Sequence, residues 1–130
     1  MKVVFHADDF GLLPGINAGI VEAHVTGVLG STSLMVNADA ADDAVALAAA
    51  NPTLDVGLHL TLVEERPVLP LEEVGTLVDG DRFWRSHPVV ALRYLRGQWN
   101  ATQAVRELEA QWARCAQLGV RPTHCDGHQH

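Results

Sequence analysis

The sequence predicts an α/β fold built on a parallel sheet. Short apolar segments bounded by turn residues alternate with helical patterns along the chain. Residues with metal-ligating side chains fall at or just past the carboxyl ends of those segments, where parallel α/β folds gather their functional groups. Apolar residues make up 48% of the 130, enough to bury the core of one small domain, residues 1–130.

Lys2–Ala7 is short, apolar and β-branched at Val3 and Val4, and reads as a buried strand. Pro14 suits the first turn of a helix, Ile16, Ile20 and Ala23 recur at i, i+4 and i+7, and Gly27 suits its C-terminal cap. Ser31–Val36 is the second strand. Asp39 suits the N-cap of a helix over Ala40–Ala50, which Asn51-Pro52 ends. Leu54–Leu62 is the third strand, with Gly57 inside it. Pro67, Pro70, Gly75 and Gly80 punctuate Val63–Arg85, which reads as a loop or lid. Val89–Leu95 forms a short helix ended by Gly97. Asn100 with Gln103 resembles a capping box, and Val105, Leu108, Trp112 and Cys115 share one face of the helix that follows, which stops near Gly119. Pro122–Asp126 is the fourth strand. The order β-α-β-α-β-loop-α-α-β implies right-handed crossovers, in half of an eight-stranded barrel or in a small open sheet.

The formal net charge of −7, with one lysine (Lys2) and scattered arginines, argues against nucleic-acid or anionic-membrane partners. No apolar run reaches the roughly 18 residues a membrane span needs. No signal peptide is visible, and Cys115 and Cys125 form no disulfide framework; both point to a reducing cytoplasm.

Three strand ends carry ligand-type groups. Asp8 and Asp9 follow the first strand. Taken alone, an Asp pair is a solvated turn or helix cap, and two adjacent carboxylates on a regular strand point opposite ways. Such a pair can divide two tasks, one carboxylate binding a cation and the other acting as general base. Asn37 follows the second strand. His59 lies late in the third, in Gly57-Leu58-His59-Leu60. A histidine between leucines is commonly a hydrogen-bonded core residue, but Gly57 permits a close approach. The fourth strand leads into His124-Cys125-Asp126-Gly127-His128-Gln129-His130, where alternation puts His128 and His130 on one face. His-x-His with a nearby Asp is a common metal arrangement. Two imidazoles and one carboxylate suit Zn²⁺ with an open water position, and Mg²⁺ is also compatible. A bound metal would polarise a carbonyl while a carboxylate such as Asp8 takes a proton from water, chemistry that suits amide hydrolysis. His6, His24 and His87 read as structural or solvated. Phe83, Trp84 and Trp99 either stack on a bound ring or pack in the core.

The motifs Ala7-Asp8-Asp9-Phe10-Gly11, Asn17 with Gly19-Ile20, Ser31–Asn37, Gly57–Leu60 and Pro122–His130 together resemble the YdjC-like carbohydrate deacetylases. That family includes chitooligosaccharide deacetylases and deacetylases associated with hopanoid biosynthesis. The resemblance covers essentially the whole chain, and the ordered set of spaced motifs makes it specific.

The resemblance implies an irregular (β/α) barrel related to the polysaccharide deacetylases, of which this chain is about the first half. It implies metal-dependent removal of N-acetyl groups from acetylated amino sugars, with one divalent ion, Mg²⁺ or Zn²⁺. Asp9, His59 and His128 are then the metal ligands and Asp8 the general base. His130, Asn37 and Asp126 fall to substrate binding or to support of the ligands. Family chains continue past the His-x-His motif, whereas this one stops at His130. The expectation is therefore an N-terminal portion whose open sheet edge favours a homo-oligomer. The alternatives are another His-x-His metallohydrolase, of amidohydrolase or phosphoesterase type, or a catalytically incomplete fragment that self-associates.

Overall fold

The structure, a computed structural model, describes residues 3–129. Its sheet has four parallel strands: β1 (Phe5–Phe10), β2 (Leu29–Leu34), β3 (Asp55–Leu60) and a late strand, Cys125–Gly127, in the order β1-β2-β3-late strand. Helix α1 (Pro14–Thr26) links β1 to β2, and α2 (Ala41–Ala50) links β2 to β3. The region after β3, Val63–Arg85, reads from the sequence as a loop or lid. It contains a 3₁₀ turn at Leu71–Glu73 and a small antiparallel hairpin, β4 (Val78–Asp79) and β5 (Arg82–Phe83). Then come α3 (His87–Leu95), α4 (Ala101–Gln117) and the late strand, hereafter β6.

One face of the sheet is apolar. Phe10, Leu34 and Leu58 are essentially fully buried and meet Ile20 of α1, Ala44 of α2 and Cys115 of α4. Burying each large aliphatic or aromatic side chain here contributes about 1.5–3 kcal/mol. The opposite face carries the polar side chains that alternate with these. A second cluster, Val74, Leu77, Phe83 and Ala104, seats the hairpin on the start of α4, with Trp99 packed against it.

Several boundaries move for physical reasons. The first strand begins at Phe5, and Val3, Val4 and Phe5 are more than half exposed, because β1 has no neighbour on its outer edge among the described residues. Asp39 does not cap α2. Ala40 is the N-cap without a side-chain bond, while its N–H donates to Gly11 O and Asp39 stays exposed, 3.9 Å from Arg82. Helix α3 starts at His87, with Pro88 in its first turn where the lost N–H costs nothing. The capping box forms only in half. Asn100 Oδ1 accepts from the N–H groups of Thr102 and Gln103, but the Gln103 side chain accepts from Thr76 instead of returning to Asn100. Thr76 Oγ1 takes the Asn100 N–H at 3.0 Å.

Helix α4 is rotated from the expected apolar face. Val105 and Trp112 are exposed, whereas Ala104, Glu107, Gln111 and Cys115 are buried. The reason is a polar clamp. Glu107 accepts from the N–H groups of Val68 (2.8 Å) and Leu69 (2.9 Å). Gln111 accepts from Thr61 N–H at 3.0 Å, and its amide donates to Thr61 O and Glu107 at 2.8 Å each. These bonds satisfy the backbone just past β3 and hold the loop beside the sheet.

Glu107→Ala strips acceptors from two loop N–H groups and from Gln111. It is expected to destabilise the chain by about 2–4 kcal/mol in urea unfolding. A loss below about 0.5 kcal/mol would show that the clamp is not a stabilising element.

Candidate metal centre

The polar face is built by strand alternation. Ser31 and Ser33 of β2, Gly57 and His59 of β3, and Asp126 of β6 all lie on the side away from the helices. The register pairs His59 with Asp126 and Leu58 with Cys125, so β6 brings its carboxylate directly beside the histidine.

Strand β1 departs from simple alternation. Its pairing with β2 shifts between Ala7 and Phe10, and Asp9 has φ +65°. This left-handed residue inside a bulge lets Asp8 and Asp9 both reach the polar face before Phe10 returns to the core. The expectation that the two carboxylates point opposite ways is overturned, because the strand is not regular there. Left-handed backbone at a non-glycine residue costs about 1–3 kcal/mol and persists only where surroundings enforce it. Hydrogen bonds around the bulge provide that enforcement. Leu12 N–H donates to Asp9 O, and Gly11 N–H donates to the buried Asn17 Oδ1 at 2.7 Å. The Asn17 amide in turn donates to Ala40 O and Asp43. Gly11 itself has φ +103°, and a Cβ there would meet Met35 O at 2.9 Å. Asn17 thus positions Asp9 from a helix away.

Asp9, His59 and His128 come together. Asp9 Oδ1 lies 2.9 Å from His128 Nδ1 and 3.3 Å from His59 Nε2, and the two nitrogens are 3.2 Å apart. His59 is buried, and Asp9 Oδ1 is sealed from solvent without hydrogen-bond geometry to either ring. Two donors on one ion at about 2.1 Å are about 3.0–3.4 Å apart for octahedral to tetrahedral angles. The three separations match that spacing, so the residues fit a divalent cation.

His59 is oriented for such a role. Its Nδ1 meets Asp126 Oδ1 at 2.6 Å, so the proton sits on Nδ1 and the Nε2 lone pair faces Asp9 and His128. Ser33 Oγ is 3.1 Å from the same Nδ1. Burial works to raise the Asp126 pKa, but the hydrogen bond and charge of His59, the Ser33 hydroxyl and His6 outweigh it and hold the carboxyl below its ordinary range. A depressed carboxyl stabilises the fold above its unfolded pKa, and that stabilisation is lost as pH falls through the lower folded value.

His6 was expected to be structural or solvated, yet it belongs to this cluster. Its Nε2 is 3.2 Å from both Asp8 Oδ1 and Asp126 Oδ2, and its Nδ1 is 3.0 Å from Ser31 Oγ. The signal was available, since His6 and Asp8 stand two apart and share a strand face. His24 does serve the fold, bridging Leu29 O and Thr53 Oγ1, and His87 Nε2 contacts Gln129 O. The Asn37 amide donates to Arg66 O at 2.7 Å, tying the chain after β2 to the loop, not to the triad. His130 lies outside the described residues. Phe83 is core, Trp99 packs beside it, and the Arg93 guanidinium covers the Trp84 ring at 4.4 Å. Sequence reasoning also missed Glu65. Burial pushes its carboxyl above the ordinary range, opposed by the Arg82 guanidinium 3.4 Å away.

Comparison with known proteins places this geometry. A carbohydrate deacetylase of Brevibacillus brevis is 43% identical over all of this chain and 50% of its own length. One from Listeria monocytogenes is 42% identical over 98% of this chain and 51% of its own, and one from Vibrio parahaemolyticus is 41% identical over 100% and 49%. The chain therefore spans about half the length of the curated relatives it matches. A crystal structure from Enterococcus faecalis, named for cellobiose-phosphate cleavage, superimposes with TM-score 0.84 at 35% identity, covering 96% of this chain and 47% of that one. The parallel sheet with its helices is accordingly a half-barrel. The model of the YdjC-like proteins matches residues 2–130, and the chain belongs to that family.

Proposed function

We propose that this chain supplies the metal-holding half of a deacetylase that removes N-acetyl groups from acetylated amino sugars. The observation that carries the reading is the buried Asp9 Oδ1, held without a hydrogen bond between His59 Nε2 and His128 Nδ1. The names of the curated relatives support the carbohydrate substrate. Asp9, His59 and His128 would hold one divalent ion. Two imidazoles and a carboxylate favour Zn²⁺, with Mg²⁺ the hard-ligand alternative.

When bound, that ion supplies Lewis-acid polarisation of an amide carbonyl. Asp8 is the proposed base. It is exposed to incoming water and lies 3.2 Å from His6 Nε2. It also lies with His59 and Asp126 in one group whose ligand atoms are within 4.8 Å of one another. Asp8 would take a proton from the attacking water. Asp126 acts through His59, fixing its tautomer and ring plane.

No helix among the described residues is long and apolar enough to cross a membrane. The free thiols of Cys115 and Cys125 fit the proposed cytoplasmic location. The exposed Phe5 edge and Leu92 and Leu95 of α3 support self-association.

His59→Ala is expected to weaken Zn²⁺ binding by more than about 100-fold in calorimetric titration, since a ligand is lost where even a supporting residue costs about 10–100-fold. Unchanged affinity would remove His59 from the centre. In an acetate-release assay on N-acetylated chitooligosaccharides, Asp8→Asn should keep the metal yet lower turnover about 10²–10⁴-fold. Full activity in that variant would reassign the base, and metal-loaded wild-type protein that includes both halves of the barrel and releases no acetate would sink the deacetylase reading.

A further inference from the structure

Two histidines on the polar face, His6 and His124, lie outside the metal triad, and the proposed deacetylation has no use for His124. Residue 6 is on β1 and residue 124 immediately precedes β6, the two outer strands of the sheet. The strands between them present only small side chains at this level, Ser31 and Ser33 from β2 and Gly57 from β3. Gly57 leaves room for the His124 ring. The His124 ring occupies the place where its Cβ would stand, well inside van der Waals contact. The space over the inner strands is thus cleared, and the two outer imidazoles converge in it.

The packing of the two rings resembles that of the triad histidines. The His6 and His124 ring centroids are 5.2 Å apart with planes at 72°, and those of His59 and His128 are 5.3 Å apart at 79°. Each pair has a carboxylate. Asp126 Oδ2 lies 3.2 Å from His6 Nε2, and the three side chains each offer a ligand atom within 4.8 Å of the others. His124 Nδ1 faces Thr123 Oγ1 at 2.8 Å, while its Nε2 is sealed from solvent with no hydrogen-bond partner. A buried imidazole nitrogen without a partner is costly unless something else satisfies it.

We infer that His6, His124 and Asp126 form a second divalent-cation site, distinct from the Asp9–His59–His128 centre. Two imidazoles and one carboxylate select a borderline ion such as Zn²⁺ over Mg²⁺. The two sites share no ligand atom, unlike a bridged pair of ions that clamps a reacting group. They are linked instead through Asp126, whose Oδ1 holds His59 and whose Oδ2 faces His6. An ion here pins β1 to β6 across the sheet and steadies the carboxylate that orients His59. The inference stands on this geometry and holds whether or not the protein is a deacetylase.

The test is elemental analysis of the purified protein after saturation with Zn²⁺ and removal of free ion. It compares the wild type with His124→Ala, His6→Asn and His128→Ala, with folding followed by circular dichroism. His6→Asn keeps a polar group near Ser31 and serves if His124→Ala does not fold. The expected result is two ions in the wild type and one in each variant. A single wild-type ion that is lost in His124→Ala or His6→Asn but kept in His128→Ala would support this site and overturn the triad. Equal zinc in the wild type, His124→Ala and His6→Asn would overturn the second site.

Discussion

The hydrogen bond between Asp126 and His59 joins the last strand of the sheet to the third at 2.6 Å, and the polar face is organised around it. It decides which His59 nitrogen carries the proton, and therefore where the Nε2 lone pair points. It exists because β6 pairs with β3 in a register that sets residue 126 opposite residue 59. A slip of one residue would turn Asp126 to the helix side and leave His59 buried without its carboxylate. The His128 N–H donates to Leu60 O at 2.8 Å and extends that register by one more step, delivering His128 to the same place.

The sheet divides its labour by face. Apolar residues of β1, β2 and β3 pack under α1, α2 and α4 and stabilise the fold. The opposite face gathers histidines and carboxylates at a density that a core would not tolerate. The bulge at Asp9 is where the two demands meet. Regular alternation would have sent one of the adjacent aspartates into the core beside Phe10. A left-handed residue, held by the Asn17 and Gly11 contacts, avoids that and puts both on the polar side.

Much of this was legible in the sequence. The first five elements follow from apolar runs and turn residues, and the positions of Asp8, Asp9, His59 and the His124–His130 stretch at strand ends anticipated where polar groups would collect. What escaped had local causes. The β4–β5 hairpin has only two residues per strand, too few for an alternating pattern to register. The α4 face was misread because burial there follows hydrogen bonding. Glu107 and Gln111 are inside because they satisfy loop backbone, and Trp112 is outside although it is the largest apolar residue of the helix. His6 was underrated because its partners, Ser31, Ser33 and Asp126, are distant in sequence and meet it only through strand order.

The most direct test of the account is a crystal structure of the Zn²⁺-soaked protein with anomalous data at the zinc edge. The account predicts an anomalous peak about 2.0–2.2 Å from Asp9 Oδ1, His59 Nε2 and His128 Nδ1, with the Asp126–His59 bond intact and the strands unmoved. Well-ordered density for the three side chains with no peak between them, or a peak reached only after β6 shifts register, would contradict it.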